Sequence, residues 1–124
     1  MHIGLADFAE PTLLILGDSV SLNLLADCIE ARQSIDLATS SFVKLVNVGL
    51  MIVPSDDEGS LSRSDVLFEW KVSSSEAQQF ADQLRALAAS EKPGHTYLDS
   101  MANSAGVEVI ASKGEYSANP VLTS

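Results

Sequence analysis

The feature that most limits how this chain can fold is a strand followed by an amphipathic helix, a pattern that occurs twice in 124 residues. In the first copy, an apolar strand at 12–16 leads through Gly17-Asp18-Ser19, which offers N-cap side chains, into a helix predicted at 19–32. The apolar side chains of this helix fall at the i, i+3, i+4 and i+7 positions of one face; they are Leu22, Leu25, Ala26 and Ile29. Such a helix must cover that face against a sheet or a second helix.

The second copy has sharper boundaries. Residues 66–72 alternate apolar and polar side chains, which predicts a strand with one buried face. Ser73 and Glu76 have the spacing of a capping box and so predict a helix start, and Pro93-Gly94 ends the helical region. The apolar stripe of this helix consists of Ala77, Phe80, Ala81, Leu84, Leu87 and Ala88.

The two helices align at a constant offset of 55 residues, as Leu22 and Ala77 illustrate. Each helix is followed by two more strand candidates, which are 42–46 and 50–53 in the first half and 95–99 and 107–111 in the second. We therefore predict one domain over 1–124, with half-repeats at 12–53 and 66–113 and a polar linker at 54–64. A true duplication and a chance likeness of two amphipathic helices both account for the pattern.

This element order predicts an α+β fold, a two-layer sandwich whose antiparallel or mixed sheet carries both helices on one face. If 42–53 is one long strand, the core order is β-α-β-β-α-β, the ferredoxin-like arrangement. If the chain bends at 47–49, the fold is a tandem of two β-α-β-β units. The tail at 116–124 lacks periodicity and contains Pro120, so no regular structure is predicted there.

Charge restricts the classes of partner. Seventeen acidic and seven basic side chains give a net charge of −10, which argues against binding nucleic acid or anionic lipid and leaves basic proteins as candidates. Cys28 is the single cysteine, so no internal disulfide framework can form. No apolar run approaches the length of a membrane span and the first residues do not resemble a signal peptide, so we expect a cytoplasmic protein.

The sharpest motif of a catalytic type is Gly17-Asp18-Ser19 after an apolar strand, which resembles the first block of the Gly-Asp-Ser, or SGNH, hydrolases. That resemblance implies Ser19 as a nucleophile, with a histidine preceded three residues earlier by aspartate. Here Lys92 stands three residues before His95, and no Gly-x-Asn-Asp block supplies oxyanion donors. The motif therefore fits a strand terminator and helix cap better, and a small hydrolase remains the alternative function.

No catalytic residue, metal site or cofactor is predicted. His95 and Asp99 lie four residues apart on a predicted strand, about 13 Å, which is too far to share one ion. The acidic stretch 56–58 before Gly59 resembles a calcium loop, but Pro54 occupies the first ligand position and strands flank the segment. Glycine-rich phosphate loops are absent from the sequence.

Residues 65–113 combine an apolar strand, a capped helix containing Phe80-Ala81-Asp82-Gln83-Leu84 and the stretch from Gly94 through His95 and Leu98 to Asp99. This pattern resembles small bacterial immunity proteins of polymorphic-toxin systems. The resemblance implies a stoichiometric binding protein without turnover. The strong acidity agrees with this role, since a complementary field speeds encounter with a basic toxin.

We therefore predict a small, acidic, non-catalytic protein-binding protein, with a structural subunit of a larger assembly as a further alternative. The partner is a protein of basic character, and a homodimer would cover a sheet face or edge left open by the helices. The candidate binding residues are Phe68, Trp70, His95, Tyr97 and Asp99.

Overall fold

The structure, a computed structural model, describes residues 1–7, 10–116 and 122, which contain two α-helices, one 3-10 helix (Leu37–Thr39) and ten strands. The helices are α1 (Ser19–Glu30) and α2 (Ser74–Ala89). The strands of the first half are β1 (His2–Asp7), β2 (Pro11–Leu16), β3 (Ile35–Asp36), β4 (Lys44–Val46) and β5 (Gly49–Pro54). Those of the second half are β6 (Ser60–Ser64), β7 (Leu67–Val72), β8 (Gly94–Tyr97), β9 (Ala102–Asn103) and β10 (Glu108–Lys113).

Both predicted helices are present, and side chains of the expected types cap them. Asp18 is the N-cap of α1, where its carboxylate accepts the Ser21 amide at 2.8 Å and the Ser21 hydroxyl accepts the Asp18 amide. The predicted capping box of α2 is formed by Ser73 and Glu76. Most of the predicted tail at 116–124 lies outside the described residues.

The fold is α+β with mixed pairing, as predicted, but the described strands form two sheets where one was expected. Sheet 1 has the order β4-β1-β2-β10-β8, and sheet 2 has the order β3-β5-β7-β6-β9. The cause is an exchange of strands between the halves: β10 pairs in parallel with β2, and β5 pairs in parallel with β7. Each half thereby completes the sheet of the other.

The two sheets correspond strand by strand. Each half has the element order β-β-α-β-β-β, so β1–β5 can be matched one by one with β6–β10. When matched strands are exchanged, the strand order of sheet 1 becomes that of sheet 2 read from its other edge. The chain bends between β4 and β5 at Asn47, whose φ is 61°, so 42–53 is not one strand and the ferredoxin-like alternative is wrong. The prediction of a linker at 54–64 is wrong for its last five residues, because Ser60–Ser64 forms strand β6.

The hydrophobic core draws on both halves. It combines the inner faces of the two sheets with the facing stripes of α1 and α2, and it contains Ile15 of β2 and Leu84 of α2, both fully buried. Trp70 and Phe80 pack with ring centroids 5.3 Å apart. At the surface between the helices, Arg85 donates hydrogen bonds to Asp27 and Glu30, each at 2.8 Å.

The outer faces of the two sheets differ. On sheet 1, Leu14 and Leu16 form a second apolar cluster with Ala6, and Leu122 packs on it with 5% exposure. On sheet 2, Leu67 is 64% exposed and the neighbouring outward positions are largely polar. No helix among the described residues is long and apolar enough to cross a membrane.

Candidate functional site

A groove of about 510 Å³ runs over the outer face of sheet 1. Its volume falls within the range of small-ligand and side-chain pockets. We call it the sheet 1 groove. The residues that line it are Glu10, Thr12, Leu14, His95, Tyr97, Glu108, Ile110 and Tyr116.

The register of three neighbouring strands sets the floor of the groove. Ile110 of β10 lies between Leu14 of β2 and Tyr97 of β8, so these three side chains form one row across the sheet. The adjacent row pairs Glu108 with Thr12. Because partnered residues point to the same face, an apolar centre and a polar rim lie side by side.

The rim is acidic. Glu10 and Glu108 are exposed, and neither carboxylate has an ion-pair or hydrogen-bond partner in the described part of the chain. Lysine and arginine are absent from the lining residues. A cationic group entering the groove would therefore meet unpaired negative charge beside an apolar surface.

A hydrogen-bonded cluster borders the groove at the start of β8, around His95. Glu115 Oε1 lies 2.8 Å from His95 Nδ1, and it accepts a hydrogen bond from the Ser112 hydroxyl at 3.0 Å. A carboxylate that orients an imidazole is part of many acid-base sites. Here the buried Ser112 hydroxyl bonds to the carboxylate and to the Gly94 carbonyl, so serine, histidine and glutamate do not form a nucleophilic relay.

The structure brings together two of the five predicted binding residues. His95 and Tyr97 both line the groove, with ring centroids 5.7 Å apart. Phe68 and Trp70 instead face the core, with 2% and 0% exposure, because the inward positions of β7 face the helices. Neither presents a surface to a partner. Asp99 is exposed after β8 and does not line the groove.

Six groove residues are not among the site residues predicted from the sequence: Glu10, Thr12, Leu14, Glu108, Ile110 and Tyr116. One signal was present, because the continuous apolar run of β2 is typical of a strand buried on both faces. The contribution of β10 had no such signal. Its place beside β2 depends on a pairing between Thr12 and Glu108, 96 positions apart along the chain.

The residues of the hydrolase alternative have structural roles. The Ser19 hydroxyl donates to the Ala88 carbonyl at 2.7 Å, and hydrogen bonds from the Ser21 amide and side chain lower the pKa of the Asp18 carboxyl. Burial raises the pKa of the Cys28 thiol, which disfavours the reactive thiolate. Among the described residues, no three His, Cys, Asp or Glu side chains are grouped to hold a metal ion.

No family model, curated protein or solved structure matches this chain. The chemistry of the sheet 1 groove is therefore the main indication of function. The features that bear on it are the apolar row of Leu14, Ile110 and Tyr97 and the unpaired carboxylates of Glu10 and Glu108.

Proposed function

We propose that this chain is a non-catalytic binding protein that holds a basic segment of a partner protein in the sheet 1 groove. The observation that carries the proposal is the acidic rim of Glu10 and Glu108 beside an apolar floor, in a groove whose lining includes neither lysine nor arginine. An apolar floor supplies contact area, and unpaired carboxylates select partners of positive charge.

The proposal extends to a role of the immunity type, in which the chain neutralises a basic toxin in the cytoplasm by forming a stoichiometric complex. Two observations support this extension: the net charge of −10 and the resemblance of residues 65–113 to small bacterial immunity proteins. The single cysteine is in keeping with a reducing compartment.

Capture from an extract of the native host tests the proposal with a matched pair of variants. Glu108→Lys reverses a charge at the groove, and Glu58→Lys reverses one in the exposed loop between β5 and β6. Both substitutions change the net charge equally. We expect the wild type and Glu58→Lys to retain the same basic protein at a fixed molar ratio, and Glu108→Lys to lose it.

Equal retention by both variants would contradict the proposal, since it would show that the groove does not select the partner. Turnover is tested separately on short-chain esters. Hydrolysis that Ser19→Ala abolishes would overturn the non-catalytic assignment. Retention of several chains in one fixed complex, with no basic protein among them, would instead indicate a structural subunit.

We also propose a homodimer, formed through the outer face of sheet 2. Leu67 and Met51 are 64% and 37% exposed and border one shallow depression there. A second copy would cover these side chains. Sedimentation across a concentration range should show a dimer that Leu67→Lys converts to a monomer. A wild-type monomer at all concentrations would contradict this part of the proposal.

A further inference from the structure

The sheet 1 groove combines open carboxylates with a flat apolar and aromatic surface, and few side chains match both. We infer that the group it anchors is an arginine side chain of the partner protein. The inference rests on the proposed function, because it names the part of the basic segment that the groove holds.

The charges near the groove are not equivalent. Glu115 is already engaged, because its Oε1 lies within hydrogen-bond distance of both His95 Nδ1 and the Ser112 hydroxyl. Glu10 and Glu108 have no such partners in the part of the chain that the structure describes. Glu108 lies on β10 in register with Thr12 of β2, and Glu10 is the residue immediately before β2. The two open carboxylates therefore belong to two neighbouring, paired strands.

A guanidinium group suits two carboxylates better than an ammonium group does. It has five N–H donors in a rigid plane and can bond to more than one acceptor at once, whereas an ammonium is a compact point charge. Charge-assisted hydrogen bonds of this type are stronger than neutral ones. Two open carboxylates in the lining of one groove therefore favour arginine over lysine.

The floor gives a second, independent reason. Ile110, which is partly exposed, forms an apolar surface between the buried Leu14 and the ring of Tyr97, which is 45% exposed. The aliphatic stem of arginine can lie along such a surface, and its weakly hydrated planar head can stack on an aromatic ring. A lysine ammonium would have to give up more tightly bound water in the same position.

The inference is tested by titrating the full chain with N-acetyl-arginine amide, N-acetyl-lysine amide and N-acetyl-citrulline amide, followed by backbone amide NMR. Citrulline keeps the shape of arginine without its charge. We expect shifts at Tyr97, Glu108 and Ile110, with affinity highest for arginine, lower for lysine and lost for citrulline. Glu108→Gln should weaken arginine binding about three- to tenfold, whereas Glu58→Gln in the loop between β5 and β6 should leave it within about twofold.

Several outcomes would overturn the inference. Equal binding of citrulline would show that charge does not select the ligand, and equal binding of lysine would show that the guanidinium does not. Tighter binding of free arginine than of the blocked amide would assign the groove to a free amino acid. If no probe binds while capture of the partner still depends on Glu108, the arginine anchor is wrong and the proposed function stands. If the arginine probe binds as expected while capture is independent of Glu108, the anchor stands and the proposed function fails.

Discussion

Sheet 1 and sheet 2 are built from corresponding strands in the same order, yet their outer faces carry different side chains. At the offset of 55 residues, Leu14 and Leu16 of β2 correspond to Glu69 and Lys71 of β7. The two leucines are 0% and 8% exposed, whereas the charged pair is about half exposed. The central strand of each sheet is therefore the place where the halves diverge.

The comparison shows how one arrangement of strands can produce a face that holds a groove and a face that is largely polar. The inner positions of both strands are apolar, since both must cover the shared core. The outer positions are free to differ. The leucines at these positions of sheet 1 are buried against Leu122, and Leu14 lies at the base of the sheet 1 groove. Glu69 and Lys71 at the corresponding positions make the outer face of sheet 2 polar.

The largest expected effect on stability comes from replacing Leu14 of sheet 1 with glutamate, the residue at the corresponding position of sheet 2. Leu14→Glu places a carboxylate at a fully buried position without a partner, so we expect a loss of more than about 3 kcal/mol in the free energy of unfolding. The reverse change, Glu69→Leu, should alter stability by less than about 0.5 kcal/mol. Urea unfolding measures both. Should Leu14→Glu not fold, Leu14→Ala, with an expected loss of about 2–4 kcal/mol, takes its place.

The next prediction concerns Gly4, whose counterpart by strand register is Ser62. A Cβ at Gly4 would lie 2.4 Å from the Val46 carbonyl oxygen and 3.3 Å from Leu122 Cδ2. We therefore expect Gly4→Ser to cost about 2–3 kcal/mol through overpacking. Ser62→Gly on the open face should cost less than about 1 kcal/mol. Equal costs in urea unfolding would show that the two outer faces are not packed differently.

A smaller effect is expected for the side chain that covers sheet 1. Leu122 is 5% exposed against Ala6, Leu14 and Leu16, so Leu122→Ala should lower the free energy of unfolding by about 2 kcal/mol. Leu67→Ala, at a position 64% exposed on sheet 2 of a single copy, should change the stability of the monomer by less than about 0.5 kcal/mol. An unchanged stability for Leu122→Ala would mean that this contact contributes nothing to the fold.

The smallest expected effect concerns the helices. At the offset of 55 residues, Glu30 of α1 corresponds to Arg85 of α2, and these two side chains form an ion pair. The Arg85 hydrogen bond lowers the pKa of the Glu30 carboxyl in the folded chain. This stabilisation is present above the unfolded pKa and is lost as pH falls through the lowered folded pKa. The stability gap between wild type and Arg85→Gln should therefore close in acid, measured by urea unfolding at pH 7 and pH 3. A gap that stays constant would assign the effect to packing.

Local features of the fold were predictable because their causes lie within a few residues. The spacing of Leu22 and Ile29 predicted one buried face of α1, and the pair Ser73 and Glu76 predicted the start of α2. The strand β6 escaped detection because its sequence, Ser60–Ser64, is mostly polar. Its hairpin turn uses Asp65 at a φ of 58°, where glycine is the usual signal.

Only a small part of the candidate site was predictable. His95 and Tyr97 are residues with chemistry on a predicted strand, and both line the groove. Phe68 and Trp70 also lie on a predicted strand, but they face the core. Alternation along a strand shows which side chains share a face, but it does not show which of the two faces a second layer covers.

The sequence by itself determined the α+β class, both helices, their caps and the two face patterns of β2 and β7. These depend on hydrogen bonds and side-chain spacing within one element. Only the tertiary structure decided that β10 pairs with β2 and β5 with β7, and hence that two sheets form and one holds a groove. Pairing across such separations is selected by the free energy of the whole packed chain, because each strand can form the same backbone hydrogen bonds with several partners.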